Sequence, residues 1–241
     1  MDEKMKKTIG ILGGMGPEAT AYFFDLIIKN TRAACDQEHI PVLIWNNPKI
    51  PARTEAILRG GPSPLPMLLE GVRILETAGA GLIAMPCITA HFYARQIAAR
   101  TKVPFINLID ESLRYAVKKI PGLKKAGLVA SSGTVESKLF HETFQKRGLE
   151  IITPRPREQL EVQVAIFGKN GIKAGTTTGR PRNTILRLAR RLVDRGVEAV
   201  IAGCTEVPLV LKAEDLSVPL IEPMKIGALA CIAKAGYKTK E

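Results

Sequence analysis

Long apolar runs are missing from this 241-residue chain: glycine, proline or charge interrupts each one. None approaches the roughly 18 residues that a membrane-crossing helix needs. The only early apolar stretch, Ile9 to Leu12, is too short for the roughly 7–15-residue core of a secretory signal, so a cytoplasmic protein without a membrane partner is expected. Cysteine is sparse. Four residues are too few for a disulfide scaffold, and in a reducing compartment they stay thiols. Cys35 and Cys231, in helix-like apolar surroundings, read as packing residues. With no Cys-x-x-Cys pair, Cys87, His91 and Cys204 make too small a ligand set for zinc, so no metal is expected. Aromatic residues make up only 5%, which argues against a base-stacking surface.

What is plentiful is positive charge and apolar residues. A formal charge of +12 points to nucleic acid or to the attraction of small acidic substrates. Arg180, Arg182, Arg187, Arg190, Arg191 and Arg195 form one basic segment, and Lys118, Lys119, Lys124 and Lys125 another. Acidic residues are scattered among them, so a solvated basic face is expected and nucleic acid is not. At 46% apolar residues the chain is long enough to bury a substantial α/β core as one large domain or two lobes.

Read in order, Thr8 to Thr20 is a strand, a glycine-rich turn and a helix opened by Pro17. Gly14-Met-Gly16-Pro-Glu-Ala19 fits a loose dinucleotide fingerprint, with Asp36 near the usual acidic position, but the fit alone is weak and no cofactor is expected. Pro41 to Trp45 is a second strand and runs into a loop, Asn46 to Thr54. A helix over Met67 to Ala78, a strand ending before Cys87 and a strand over Val103 to Ile109 follow. The pattern then restarts. Lys125 to Thr134 is again a strand and a small-residue turn, Phe140 to Arg147 a helix, Leu149 to Pro154 a strand, and Asn183 to Arg195 an arginine-rich helix before the strand that delivers Cys204. Gly10 and Gly127, Gly16 and Gly133, and Gly79 and Gly196 are all separated as Cys87 and Cys204 are, by 117 positions. Such a register implies a duplicated βαβ unit.

The expected architecture is therefore α/β, with two pseudo-symmetric lobes, each a parallel sheet flanked by helices. Residues 1–109 form the first lobe, with a C-terminal helix over 222–241 returning to it, and 110–221 the second; the linker falls near Ile120-Pro121-Gly122 or at Asp110. In each half an apolar strand brings a cysteine to its C-terminal end, where a helix begins. That end of a parallel sheet is where ligands bind, and helix amides and dipole favour anions, thiolate included. Two such thiols across a cleft between the lobes suit two-base racemisation, in which one sulfur removes a proton from a stereocentre and the other returns one to the opposite face.

Several stretches carry a specific resemblance: Gly10-Ile-Leu-Gly-Gly-Met-Gly-Pro17, Asn47-Pro48 with Ile50-Pro51 and Arg53-Thr54, and Met85-Pro-Cys with Thr89-Ala-His91. Gly133-Thr134 with Ser137, Ile172-Lys173 with Gly175, and Gly203-Cys-Thr-Glu206 complete the set. Over nearly its whole length the chain resembles the aspartate/glutamate racemase family, in particular its cofactor-independent aspartate racemases and broad-specificity amino-acid racemases. The resemblance implies flavodoxin-like lobes in a homodimer that racemises an amino acid, aspartate or glutamate first, without pyridoxal phosphate or metal. It assigns Cys87 and Cys204 as the acid/base pair. Met15 lies in the matching glycine turn and joins the substrate-binding set. Thr89 and Thr205 hold the α-carboxylate, Asn47 and Thr134 orient the substrate, and Arg53 with Lys173 binds a side-chain carboxylate. By its spacing, two residues after Cys204, Glu206 polarises a thiol, binds the substrate ammonium or is an ordinary helix-start glutamate.

Two positions depart from the family pattern. Ile88 stands where the family has Asn, which removes amide donors and an acceptor, and Ala52 stands where Asp is usual before Arg53. The alternatives are an amino-acid or dicarboxylate binder with impaired catalysis, a related isomerase or decarboxylase and, through the basic surface, a nucleic-acid-binding protein. His91, four residues after Cys87, either supports that thiol or caps and packs. Gly168 to Arg182, rich in glycine and threonine, reads as a flexible connection and a lid carrying Lys173.

Overall fold

The computed structural model describes residues 6–240. Expectations that touch Met1 to Met5, at the start of the signal-segment reading, or Glu241, at the end of the predicted tail, lie outside the described residues. In chain order the elements are β1 (Ile9–Gly13), α1 (Pro17–Asn30), β2 (Val42–Asn46), α2 (Arg53–Arg59), α3 (Leu65–Thr77), β3 (Leu82–Ala84), α4 (Ala94–Ala98), β4 (Phe105–Ile106) and α5 (Leu108–Lys119). They continue with β5 (Lys125–Val129), α6 (Ser132–Glu136), α7 (Leu139–Gln145), β6 (Glu150–Ile152), α8 (Pro156–Phe167), α9 (Arg180–Asp194), β7 (Ala199–Ala202), α10 (Val207–Val210), β8 (Leu220–Ile221) and α11 (Pro223–Lys234).

The strands form two four-stranded parallel sheets of the same order, β2-β1-β3-β4 and β6-β5-β7-β8. Ile9 to Gly13 pairs with Val42 to Asn46 on one side and, over its first three residues, with Leu82 to Ala84 on the other. β5 lies in the same way between β6 and β7. The fold class is thus α/β with a duplicated sheet, as the repeat implies.

The described residues divide into two compact units: residues 6–52, 62–111 and 224–240, and residues 53–61 and 112–223. Arg53–Gly61 belongs to the second unit although it lies early in the chain, and α2 packs on α6 there. In the first unit the C-terminal segment is bonded back through Lys7 N to Ala235 O (3.0 Å) and Lys240 N to Asn30 O (2.9 Å).

Each unit has its own core. In the first, Leu12, Leu68, Val72, Leu75, Ile83 and Met85 are buried together. In the second, Val129, Val162, Ile185, Leu188, Leu192 and Val200 play that part. Burying each such side chain contributes about 1.5–3 kcal/mol. Helix α3 approaches β2 closely because residue 71 has no side chain: a Cβ there would lie 2.4 Å from the Trp45 ring.

Some expected elements are shorter or placed differently. The strand predicted over Val103 to Ile109 is only Phe105–Ile106, because Asn107 Oδ1 accepts from the amides of Ile109 (2.9 Å) and Asp110 (3.3 Å) and starts α5. Cys35 is exposed, in the extended residue before a short 3₁₀ turn over Asp36–Glu38, and is not a packing residue; Cys231 is fully buried. The arginine-rich helix begins at Arg180, with Pro181 in its first turn, so the connection before it is shorter than expected. That connection also has internal bonds, with a 3₁₀ turn over Ile172–Ala174 and Thr176 N bonded to Gly171 O at 3.2 Å.

Candidate functional site

The glycine turn after β1 is built by packing. Gly14 has φ +96°, its amide donates to Thr20 Oγ1 at 2.9 Å, and a Cβ on it would lie 2.3 Å from the Asn47 backbone. A glycine without strain at positive φ is what such an approach requires. This brings Met15, which is buried, near the chain that carries Asn47; Asn47 Oδ1 in turn accepts from the Lys49 amide at 2.9 Å.

In the same unit β3 ends at Ala84 and Cys87 follows three residues on, nearly buried. Thr89 and His91 lie in a 3₁₀ turn over Thr89–Tyr93, where an α-helix was expected. The Leu108 amide donates to His91 Nε2 at 3.1 Å, which makes Nε2 the acceptor and leaves Nδ1 to donate to the Cys87 carbonyl at 2.9 Å. Burial holds the imidazole neutral, with its pKa lowered to about 4. His91 therefore fixes the backbone of Cys87, which is the capping reading of this residue. Ile88, at the head of the turn, is 2% exposed and packs as an apolar residue.

The second unit gathers the other candidates. Cys204 lies two residues beyond β7, and its Sγ donates to Glu206 Oε2 at 2.8 Å. Thr205 Oγ1 donates to the same oxygen at 3.1 Å, and Lys173 Nζ is ion-paired to Oε1. Lys173, on the turn between Gly171 and Gly175, also lies over the Phe167 ring, 5.4 Å from its centroid. Burial, then the negative charge of Glu206, pushes the Cys204 thiol well above its ordinary range, and Lys173 offsets part of this. Thr134 is fully buried at the start of α6, with Oγ1 3.2 Å from Ser131 Oγ. Arg53, the first residue of α2, lies in this unit too.

The predicted site residues are thus divided between the units, Met15, Asn47, Cys87 and Thr89 in one, Arg53, Thr134, Lys173, Cys204, Thr205 and Glu206 in the other, and bonds join Lys173, Cys204, Thr205 and Glu206. Among the described residues no group of three or more His, Cys, Asp or Glu is arranged to hold a metal ion, and no helix is long and apolar enough to cross a membrane. The basic segment is bonded within the protein. Arg182 reaches Asp215 at 2.8 Å, Arg191 reaches Glu158 at 3.0 Å, Arg187 pairs with Glu161, and Arg190 and Arg195 bond the carbonyls of Asp215 and Thr153.

Two parallel sheets of identical strand order, each followed at the end of its third strand by a buried thiol, define a duplicated α/β protein with one cysteine motif per copy. A family model described as Asp/Glu/hydantoin racemase matches residues 12–231, and the chain belongs to that family; racemases are isomerases. It is 26% identical over 236 residues to the broad-specificity amino-acid racemase RacX of Bacillus subtilis (strain 168), covering 96% of this chain and 97% of that protein. Among solved structures it resembles the Picrophilus torridus aspartate racemase, with TM-score 0.85, 28% identity and coverage of 97% of this chain and 96% of that one. An aspartate racemase homologue from Pyrococcus horikoshii OT3 aligns with TM-score 0.76 and 26% identity over 95% of this chain and 99% of its own.

Proposed function

We propose that this protein interconverts the enantiomers of an amino acid, with aspartate and glutamate the first substrates, through a pair of cysteines that exchange protons at Cα. Cys87 as thiolate takes the Cα proton, and the electron pair of that bond stays on carbon, spread into the α-carboxylate. Cys204 as thiol gives its proton to the opposite face. In the reverse direction the roles exchange, so neither thiol is consumed and no cofactor is called on.

The observation that carries this reading is the setting of Cys204. A buried thiol bonded to a carboxylate, itself paired with an ammonium, is a proton-transfer arrangement. The family match and the names of the relatives support the same chemistry. In this reading Thr89 and Thr205 hold the α-carboxylate, Met15, Asn47 and Thr134 shape and orient, and Arg53 and Lys173 favour a second carboxylate. The Gly168–Arg182 segment acts as a lid and the protein works as a homodimer.

Incubating single enantiomers of aspartate and glutamate with the protein in D2O tests it. Racemisation with deuterium at Cα is expected, lost in Cys87→Ser and in Cys204→Ser. Binding without exchange would favour the non-catalytic binder.

A further inference from the structure

The two halves are repeats, but their cysteines are not held alike. The separation that pairs Cys87 with Cys204 also pairs Thr89 with Glu206 and His91 with Pro208. In the first half an imidazole grips the backbone of the cysteine; in the second a carboxylate grips its sulfur. Duplication alone would give two equivalent thiols. The substitution of Glu206 at the threonine position breaks that equivalence.

We propose that Glu206 is a positioning residue that keeps Cys204 protonated in the resting enzyme, so that the resting enzyme is set for the enantiomer whose Cα–H faces Cys87, with Cys87 the base and Cys204 the proton donor in its turnover. This rests on the two-thiol reading above. Glu206 is buried, and its carboxylate accepts from Cys204 and Thr205 on one oxygen while Lys173 pairs with the other, so both oxygens have partners. An ionised carboxylate beside a sulfur opposes a second negative charge and accepts the S–H bond that only the thiol has. The charged groups acting on Cys204 are Glu206 itself and Lys173, from the turn over Ile172–Ala174, and they act in opposite directions. After one turnover the Cys204 S–H bond has broken and its proton forms the new Cα–H bond. The proton from the old Cα–H bond then rests on Cys87. Exchange with solvent restores the starting arrangement. Since enantiomers are equally stable, kcat/KM stays equal for both whichever thiol rests protonated, and steady-state rates alone do not reveal the asymmetry.

Alkylation does. The full-length Cys87→Ser chain is treated with iodoacetamide across a pH series, and modification of Cys204 is read by peptide mass, separately from Cys35 and Cys231. The midpoint in pH, not the rate, is compared, so a change in access does not mimic the effect. Glu206→Gln, and Glu206→Thr, which copies the first half, are expected to lower the midpoint by at least about one unit, roughly tenfold more thiolate below the midpoint. Lys173→Met is expected to raise it. An unshifted midpoint in whichever Glu206 variant folds, or a midpoint that stays or falls in Lys173→Met, overturns the proposal. The measurement needs no substrate, so it fails or succeeds independently of whether the wild-type protein exchanges Cα hydrogen.

Discussion

His91 accepts the amide proton of Leu108 through Nε2 at 3.1 Å, at the first residue of α5. The bond needs a neutral ring, and the ring is neutral because it is buried, with its pKa near 4 in place of 6.5. The unfolded chain therefore binds one proton more than the folded chain between these values, and stability falls as the pH drops through that window. The expected loss is about 3 kcal/mol between pH 6.5 and 4, from the size of the shift. Urea unfolding at several pH values checks it: His91→Gln should flatten the slope in this range, and an unchanged slope would contradict the assignment.

Glu206 and Lys173 form a mostly buried pair, 5% and 23% exposed. Lys173→Ala leaves a buried carboxylate without its ammonium and is expected to destabilise the fold by about 1–3 kcal/mol. A urea midpoint equal to wild type would show that the pair contributes nothing.

Trp45 is the only tryptophan, so its fluorescence reports one place in the fold. Gly71→Ala sets a methyl group 2.4 Å from its ring unless α3 moves. The variant is expected to change Trp45 emission and to lose about 1–3 kcal/mol of stability. Emission and unfolding like wild type would mean that the close approach is absent.

Ile88 is buried. Ile88→Asn buries an amide where an apolar side chain now lies and is expected to lower stability by about 1–3 kcal/mol. If stability is kept and exchange at Cα rises, the pocket around residue 88 is polar and the apolar reading of it is wrong.

The fold was legible because it is written twice. Glycines 10 and 127, 16 and 133, and 79 and 196 keep one separation, and strand periodicity supplied the rest. Element ends were harder to read. The Val103 to Ile109 run is apolar enough for a long strand, and only the Asn107 side chain, bonded to the next amides, shows why it stops at Ile106. Cys35 was misread because its neighbours look helical, whereas it lies beyond the end of α1. In the site, residue types were visible but their bonds were not. Lys173 and Glu206 are 33 positions apart, and no local pattern foretells that they meet. Nor does spacing reveal that His91 spends both ring nitrogens on the backbone, since its second partner, Leu108, comes from the helix after β4.

The most direct measurement is deuterium content at Cα of L-aspartate and of L-glutamate recovered from D2O after incubation with wild type, Cys87→Ser and Cys204→Ser. Wild type is expected to label at least one of them and form its D enantiomer, and neither variant to form any. Inversion that persists in either serine variant, or no label from any amino acid with wild type, would contradict a two-cysteine racemase.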